Sequence, residues 1–251
     1  GVDTTNLAGY WRFDDVAADG VIADLSGNGN DASSGHDLPI AVNDQVASFD
    51  GGHIDLGTTG TLATGSGDFT WEAWVRPDAD GNIKQIAAVG THTSGTSGRL
   101  FVHTDGTLGF NDFAASNANI KGTTDLTDGA WHHVAVVNDG SALRLVVDGV
   151  SEGTTDTFTG VISGTPAYIG VAGDGTSQTF AGDIADVRFW DTALSDSAIN
   201  TGKDARLNGD EQGLIGYYKL DGDANDSQTN ASVVNGTAVG NIVLDSAPTP
   251  I

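Results

Sequence analysis

The chain has 251 residues, 38% of them hydrophobic, so it is long enough to bury a core and too apolar to be disordered. Its formal net charge of −24, from 34 acidic and 10 basic residues, excludes nucleic acid and anionic lipid as partners. It has no cysteine, which excludes disulfides, and no run of about 18 apolar residues that would insert into a membrane.

The acidic residues are nearly all aspartate, since the only glutamates are Glu72, Glu152 and Glu211. Aspartate favours turns, caps and calcium loops, whereas glutamate favours helices. The 36 glycines suit many short strands joined by tight turns. This composition predicts a β protein that lives with divalent cations or high salt, conditions that screen an acidic surface.

The first motif in chain order, LAGYWRFD at residues 7–14, returns near the end as LIGYYKLD at residues 214–221. Each copy precedes a loop rich in Asp, Asn and Ser, at 24–31 and 223–230. We therefore predict that residues 1–251 form a single domain, in which residues 212–251 add a closing strand and loop. The alternative is that a new unit of a tandem array begins near residue 212, but about 40 residues could not bury a core of their own.

Alternation of apolar and polar residues predicts the strands of the middle region. FTWEAWV at 69–75 is one strand, and the runs at 131–137 and 143–147 form a hairpin through Asn138-Asp139-Gly140-Ser141, whose residues tolerate a positive φ. Further strands are predicted at residues 46–50, 53–56, 99–103, 107–111, 166–171 and 184–190. This density predicts an all-β, two-sheet antiparallel sandwich. Residues 194–199 predict one short rim helix with Ser195 as its N-cap.

Five motifs carry a family resemblance. They are GYWRFDD at 9–15, DLSGNGND at 24–31, WHHVA at 131–135, LRLVVDG at 143–149 and AGDIADVRFW at 181–190. In this order they resemble the laminin-G and pentraxin branch of the concanavalin A-like lectin/glucanase superfamily. The resemblance implies a jelly roll of two antiparallel sheets that serves recognition.

The loop at residues 24–30 is the best candidate for a calcium site. Its D-x-S-x-N-G pattern places oxygen ligands at alternate positions, as in the first half of an EF-hand, but Gly35 stands where that loop needs a glutamate. Further ligands must come from elsewhere, and the resemblance implies a calcium ion beside this loop. The predicted ligands are Asp14, Asp15, Asp24, Ser26, Asn28, Asn30 and Asp186. The alternative is an Asx-rich turn, and residues 78–82 and 221–226 are weaker cation candidates.

The resemblance to pentraxins also implies a ligand site in loops at one face of the sandwich. Ser177-Gln178 resembles part of that site, but its glutamates are missing and the loop at 91–97 carries no acid, so the pentraxin pair of calcium ions is not expected. Amides, carboxylates and an aromatic platform hold sugars. The predicted ligand-binding residues are His92, Asn111, Asp112, Asp174, Gly175 and Gln178. The alternative is a set of ordinary sandwich-end loops.

The alternation of side chains along a strand also predicts to which face of a sheet the tryptophans and histidines point. Trp71 and Trp74 are an odd number of residues apart and should point to opposite faces, one of them into the core. Trp11, Trp131 and Trp190 are expected in the core. The adjacent residues His132 and His133 should also point to opposite faces, which argues against a shared zinc ion.

No strand carries the paired glutamates, in an E-x-D-x-x-E arrangement, that glucanases of the resembled superfamily use. We therefore predict that the chain is not an enzyme. The leading hypothesis is a calcium-stabilised, lectin-like carbohydrate-binding module of a secreted or surface-anchored bacterial adhesin, located outside the cell beside neighbouring domains. The lack of cysteine favours a bacterial source. The alternatives are a protein- or peptide-binding adhesion domain, a ligand-free spacer, and an accessory module of a glycoside hydrolase.

Overall fold

The computed structural model describes residues 21–22, 32–33, 46–58, 60–91, 96–112, 119–155, 160–163 and 166–245. The chain divides into two compact units, residues 1–41 with 202–206 and residues 42–201 with 207–251. In the first unit, β1 (Val21–Ile22) pairs antiparallel with β2 (Ala32–Ser33). Every element discussed below belongs to the second unit, apart from the last residue of its helix.

The second unit is built almost entirely of strands, which follow in chain order: β3 (Ala47–Asp50), β4 (His53–Asp55), β5 (Phe69–Pro77), β6 (Lys84–Val89), β7 (Gly98–Val102), β8 (Thr107–Asp112), β9 (Asn119–Asp125), β10 (His132–Asn138), β11 (Leu143–Val147), β12 (Val150–Thr155), β13 (Ala167–Ile169), β14 (Ala181–Trp190), β15 (Leu214–Tyr218), β16 (Thr237–Val239) and β17 (Ile242–Leu244). Helix α1 (Asp196–Gly202) lies between β14 and β15. In the described part of the chain it is the one helix.

The strands form two antiparallel sheets. The eight-stranded sheet has the order β12-β11-β10-β5-β14-β3-β17, with β15 also paired to β14, and the seven-stranded sheet has the order β16-β4-β13-β6-β7-β8-β9. A single large cluster of buried apolar side chains lies between them. Trp71 of one sheet contacts Phe110 of the other edge-on, with ring centroids 5.8 Å apart. The predicted all-β sandwich with one short helix is therefore confirmed.

The strands that the sequence predicted are all present, with ends shifted by a few residues. Seven of the described strands were missed: β1, β2, β6, β9, β12, β16 and β17. Strand β6 was hidden because its first two residues, Lys84 and Gln85, are polar and yet fully buried. Ser195 caps α1 as predicted, since its Oγ accepts the Ala198 N–H at 3.1 Å. No described helix is long and apolar enough to span a bilayer.

The C-terminal residues join both sheets. Strand β15 pairs with β14, β16 pairs with β4 in the seven-stranded sheet, and β17 pairs with β3 in the eight-stranded sheet. The turn between β16 and β17 contains Gly240 at φ 76°, a conformation that glycine adopts without strain. The extent of the domain, predicted as residues 1–251, stays a prediction.

The positions of the tryptophans agree with the prediction only in part. Trp71 lies in the core and Trp74 on the opposite face of the sheet, as predicted. Trp190 is buried, but in a smaller cluster with Leu214 rather than between the sheets. The core assignment of Trp131 is wrong: it is half-buried just before β10 begins, and the Arg76 guanidinium lies 5.1 Å from its ring centroid. Trp11 lies outside the described residues.

Candidate functional site

A row of side chains crosses the whole outer face of the seven-stranded sheet. The strand registers place its members side by side, one per strand, and they are Thr237, Asp55, Tyr168, Ala88, Arg99, Asn111 and Asn119. Their chain neighbours, such as Ile54, Leu100 and Phe110, belong to the core, so alternation directs the row away from it. At the usual strand spacing the row is about 29 Å long. We call it the polar row.

Arg99 is the cationic member of the polar row and lies next to its central residue, Ala88. Its Nε donates to Asn111 Oδ1 at 2.6 Å, and its Nη1 donates to Gln178 Oε1 at 2.8 Å. The guanidinium also lies 4.9 Å from the ring centroid of Phe101, the next outward residue of β7. Burial lowers the pKa of Arg99 to about 10, which leaves the side chain charged at neutral pH. Two amides and an aromatic ring therefore fix the orientation of a cation.

Tyr168 is the aromatic member of the polar row and is half-buried. Its ring meets that of His53 edge-on, with centroids 5.6 Å apart. Burial, together with the negative charges of Asp55 and Asp174, raises the pKa of its hydroxyl, which stays protonated and can donate a hydrogen bond. Asp55 also receives the Gly57 N–H at 2.7 Å and lines a cleft of about 300 Å³ at this end of the row.

The loop at residues 172–178 lies against the polar row. Asp174 fixes its shape by accepting the N–H groups of Thr176 and Ser177, at 2.9 and 2.8 Å. Gly175 has φ 72°, and a Cβ there would lie 3.2 Å from the Tyr168 hydroxyl, so a glycine suits both the turn and the contact. Gln178 closes the loop at φ 51° and reaches Arg99.

The structure brings together four of the six predicted ligand-binding residues. Asn111 and Gln178 hold Arg99, while Asp174 and Gly175 approach Tyr168. Asp112 does not join them, because alternation turns it to the opposite side of β8, where it is buried. His92 lies outside the described residues.

Arg99, Tyr168 and Asp55 were missed by the sequence analysis. The only local signal was the alternation of Arg99 and Phe101 in β7 with His103 just after it, which places a cation and two rings on one face. His103 continues this face, with its ring 4.7 Å from that of Phe101. Burial, and then the charge of Lys121, lower the pKa of His103, so it is neutral at pH 7.

The predicted calcium site can be followed only at Asp186. This residue is buried in β14 and forms an ion pair with Arg188, so its carboxylate is already engaged. The other predicted ligands lie outside the described residues: Asp14, Asp15, Asp24, Ser26, Asn28 and Asn30. Among the described residues, no group of three or more histidine or acidic side chains could hold a metal ion.

The two weaker cation candidates are engaged by the protein's own donors. In the loop at 78–82, the buried ammonium of Lys84 bonds Asp80 and lies 3.5 Å from the Asn82 carbonyl oxygen. In the loop at 221–226, Asp226 accepts backbone N–H groups from Tyr217 and Val234, at 2.9 and 3.0 Å. Both loops are thus held by hydrogen bonds within the chain.

A second charged cluster lies on the outer face of the eight-stranded sheet and is buried. Glu72 accepts the Trp190 indole N–H at 3.0 Å, and the Arg188 Nη1 and the His133 Nε2 each lie 3.4 Å from its oxygens. Burial alone would raise the pKa of Glu72, but the hydrogen bond from His133 and the charge of Arg188 outweigh it and lower the pKa. His132 points the other way, to Asp148, so the two histidines face opposite sides as predicted.

The polar row offers the groups that hold a hydroxyl-rich ligand. Amide, carboxylate and guanidinium groups donate to and accept from hydroxyls, and the tyrosine ring supplies an apolar surface beside them. Because all are carried on paired strands, their spacing is fixed before a ligand arrives. The surface is therefore suited to binding.

The fold has relatives among solved structures. A Bacteroides ovatus protein, to which carbohydrate binding is assigned by inference, superposes with a TM-score of 0.64 at 23% identity. The match covers 82% of this chain and 61% of the B. ovatus chain. The heptameric SAP-like pentraxin of Limulus polyphemus gives a TM-score of 0.55 at 19% identity, over 82% and 97% of the two chains. The CBM40 domain of the Ruminococcus gnavus IT-sialidase gives 0.52 at 17%, over 62% and 95%. At these identities the likeness shows the fold.

Comparison with curated proteins found no match. The sequence profile of the Laminin_G_3 family, by contrast, matches residues 49–200, which is more than half of the chain. The matched range contains Tyr168, Arg99 and Asn111 of the polar row. The chain belongs to the Laminin_G_3 family of the concanavalin A-like lectin/glucanases superfamily.

Proposed function

We propose that this chain is a lectin-like module that binds carbohydrate on the polar row, and that it binds without catalysing a reaction. The observation that carries the proposal is the alignment of Tyr168, Arg99 and Asn111 on adjacent parts of one sheet face, steadied by Gln178. The lectin-like family supports it. So does the B. ovatus relative, whose name assigns it carbohydrate binding.

The proposal is tested by screening the protein on a glycan array and then measuring the best ligand by titration calorimetry. Tyr168→Ala removes the ring, and Asn111→Ala removes the amide that orients Arg99. Each variant should bind about tenfold more weakly, since a lost hydrogen bond or ring contact is worth about 1 kcal/mol or more. Ser151→Ala, an exposed position on β12 of the other sheet, is the control and should bind as the wild type does.

If both site variants bind the glycan as tightly as the wild type, the glycan site lies elsewhere on the molecule and not on the polar row. Silence on the array, together with tight binding to a protein or peptide, would replace the sugar proposal with the adhesion-domain alternative. Turnover of any glycan on the array would contradict a purely binding role.

We also propose that calcium stabilises the fold through the loop at residues 24–30, with Asp14 and Asp15 as its neighbours. The support is the D-x-S-x-N-G pattern and the excess of aspartate. Asp186 fits this role poorly, because its carboxylate is paired with Arg188. An ion bound only by the folded state raises stability as its concentration rises. Melting in calcium and in EDTA tests the proposal.

The setting we propose is the outside of a bacterial cell, as one module of a secreted or surface-anchored adhesin. The support is indirect: an acidic surface that salt and divalent cations screen, and a sequence without cysteine. Immunolabelling of intact producing cells tests it, and label seen only after permeabilisation would contradict it.

A further inference from the structure

A cleft of about 530 Å³ lies beside the polar row and shares Gln178 with it. The side chain of Gln178 accepts from Arg99 in the row, and its backbone carbonyl accepts the Gln85 N–H at 3.1 Å. These two bonds fix Gln178 at its strained φ of 51°. The residues that line the cleft are Asp50, Gly51, Asp80, Asn82, Ile83, Gln178, Thr179 and Ala181.

A buried lysine, Lys84, holds the part of the cleft that Asp80 and Asn82 line. The Lys84 side chain is 2% exposed, and its ammonium bonds Asp80 and approaches the Asn82 carbonyl. Burying an ammonium group is costly unless it is paired, so this contact fixes the loop at residues 80–84. Burial would raise the pKa of Asp80, but hydrogen bonds from Lys84 and Asn82 outweigh burial and lower that pKa to about 2. Asp80 therefore remains a carboxylate.

The chemistry of the cleft selects a neutral, hydroxyl-rich ligand. Asp50 and Asp80 disfavour an anion, and the Lys84 ammonium already provides the positive charge that a bound cation would supply. Carboxylate, amide and hydroxyl groups remain as acceptors and donors for sugar hydroxyls, while Ile83 supplies an apolar contact. The volume lies within the range of small-molecule sites, about 300–1,000 Å³.

We infer that the cleft is a second sugar subsite and that the ligand is a neutral oligosaccharide long enough to occupy the polar row and the cleft together. The inference rests on the proposed function, since the polar row is the first subsite. Gln178 is the shared wall across which the oligosaccharide passes. Each added sugar unit that reaches the cleft gains hydrogen bonds without a second loss of translational freedom, so affinity rises with chain length.

The test uses neutral oligosaccharide ladders of two, four and six sugars from the cellulose, xylan, mannan and N-acetyllactosamine series. For the series that binds, the hexasaccharide should bind wild-type protein at least tenfold more tightly than the disaccharide. The double variant Asp50→Asn, Thr179→Val changes only cleft groups and keeps their shapes. It should weaken hexasaccharide binding about tenfold and leave disaccharide binding within twofold.

Tyr168→Ala should weaken binding of both lengths, and Ser151→Ala should change neither. Thermal melts establish that each variant folds. Equal affinity of the wild type for two and six sugars overturns the second subsite, as does a double variant that binds the hexasaccharide normally, and both results leave the proposed function standing. Binding of no member of any series, nor of any glycan on the array, overturns the proposed function itself.

Discussion

Glu72 is the residue whose removal should reveal most about how the eight-stranded sheet is stabilised. It is 2% exposed and has three partners, the indole N–H of Trp190, the guanidinium of Arg188 and the imidazole of His133. Truncation to alanine leaves these groups buried without their acceptor. Breaking one side of a buried ion pair costs about 3–5 kcal/mol, and a buried unsatisfied N–H alone costs about 1–3 kcal/mol. Because Arg188 keeps its contact with Asp186, we expect about 3–4 kcal/mol.

Urea unfolding followed by tryptophan fluorescence measures this cost for Glu72→Ala. The control is Asp196→Ala, which breaks the ion pair with Arg144 on the surface, where the two side chains are 43% and 20% exposed. That pair should contribute less than about 1 kcal/mol. The reasoning is refuted if Glu72→Ala costs no more than Asp196→Ala. The pKa of Glu72 is lowered in the folded state, so its ionic contribution should be present at neutral pH and fade as pH falls through that pKa.

Three further predictions concern pH, backbone and calcium. The hydrogen bond to Asp148 outweighs burial and raises the pKa of His132, so the free energy of unfolding should decline as pH rises from about 6.5, and His132→Gln should flatten that decline in urea titrations. Gly182→Ala should cost about 3 kcal/mol or more in the same assay, because at φ 120° its Cβ would lie 2.3 Å from the Arg76 carbonyl oxygen, whereas Gly202→Ala, with nothing within 4 Å, should be neutral or stabilising. Millimolar calcium should raise the melting temperature and EDTA should reverse the change; no difference would contradict the calcium proposal.

Local alternation predicted much of the fold because it depends only on neighbouring residues. It placed Trp71 and Trp74 on opposite faces, and it predicted the hairpin of β10 and β11 with the ends of β10 shifted by one residue. It failed at Trp131, which sits before the strand begins, where alternation no longer decides burial.

The candidate site was predicted only in part, because it depends on registers between strands distant in sequence. Asn111 and Gln178 were recognisable as amides near loops. Nothing local shows that Tyr168 lies opposite Ala88, or that Ala88 lies opposite Arg99. Those pairings depend on the register between strands, which the packing of the whole sheet sets. The alternation of apolar and polar residues along one strand does not specify that register.

The pairing of Ala47 with Leu244 joins residues that are 197 positions apart in the chain. At a synthesis rate of about 5–20 residues per second, β3 waits roughly 10–40 s on the ribosome for the strand that covers its outer edge. During that interval its unpaired N–H and C=O groups are open to any other extended chain. Strand β17 is thus the element that ends this exposure of β3, and a nascent chain stalled before residue 242 should aggregate more readily than one that has released β17.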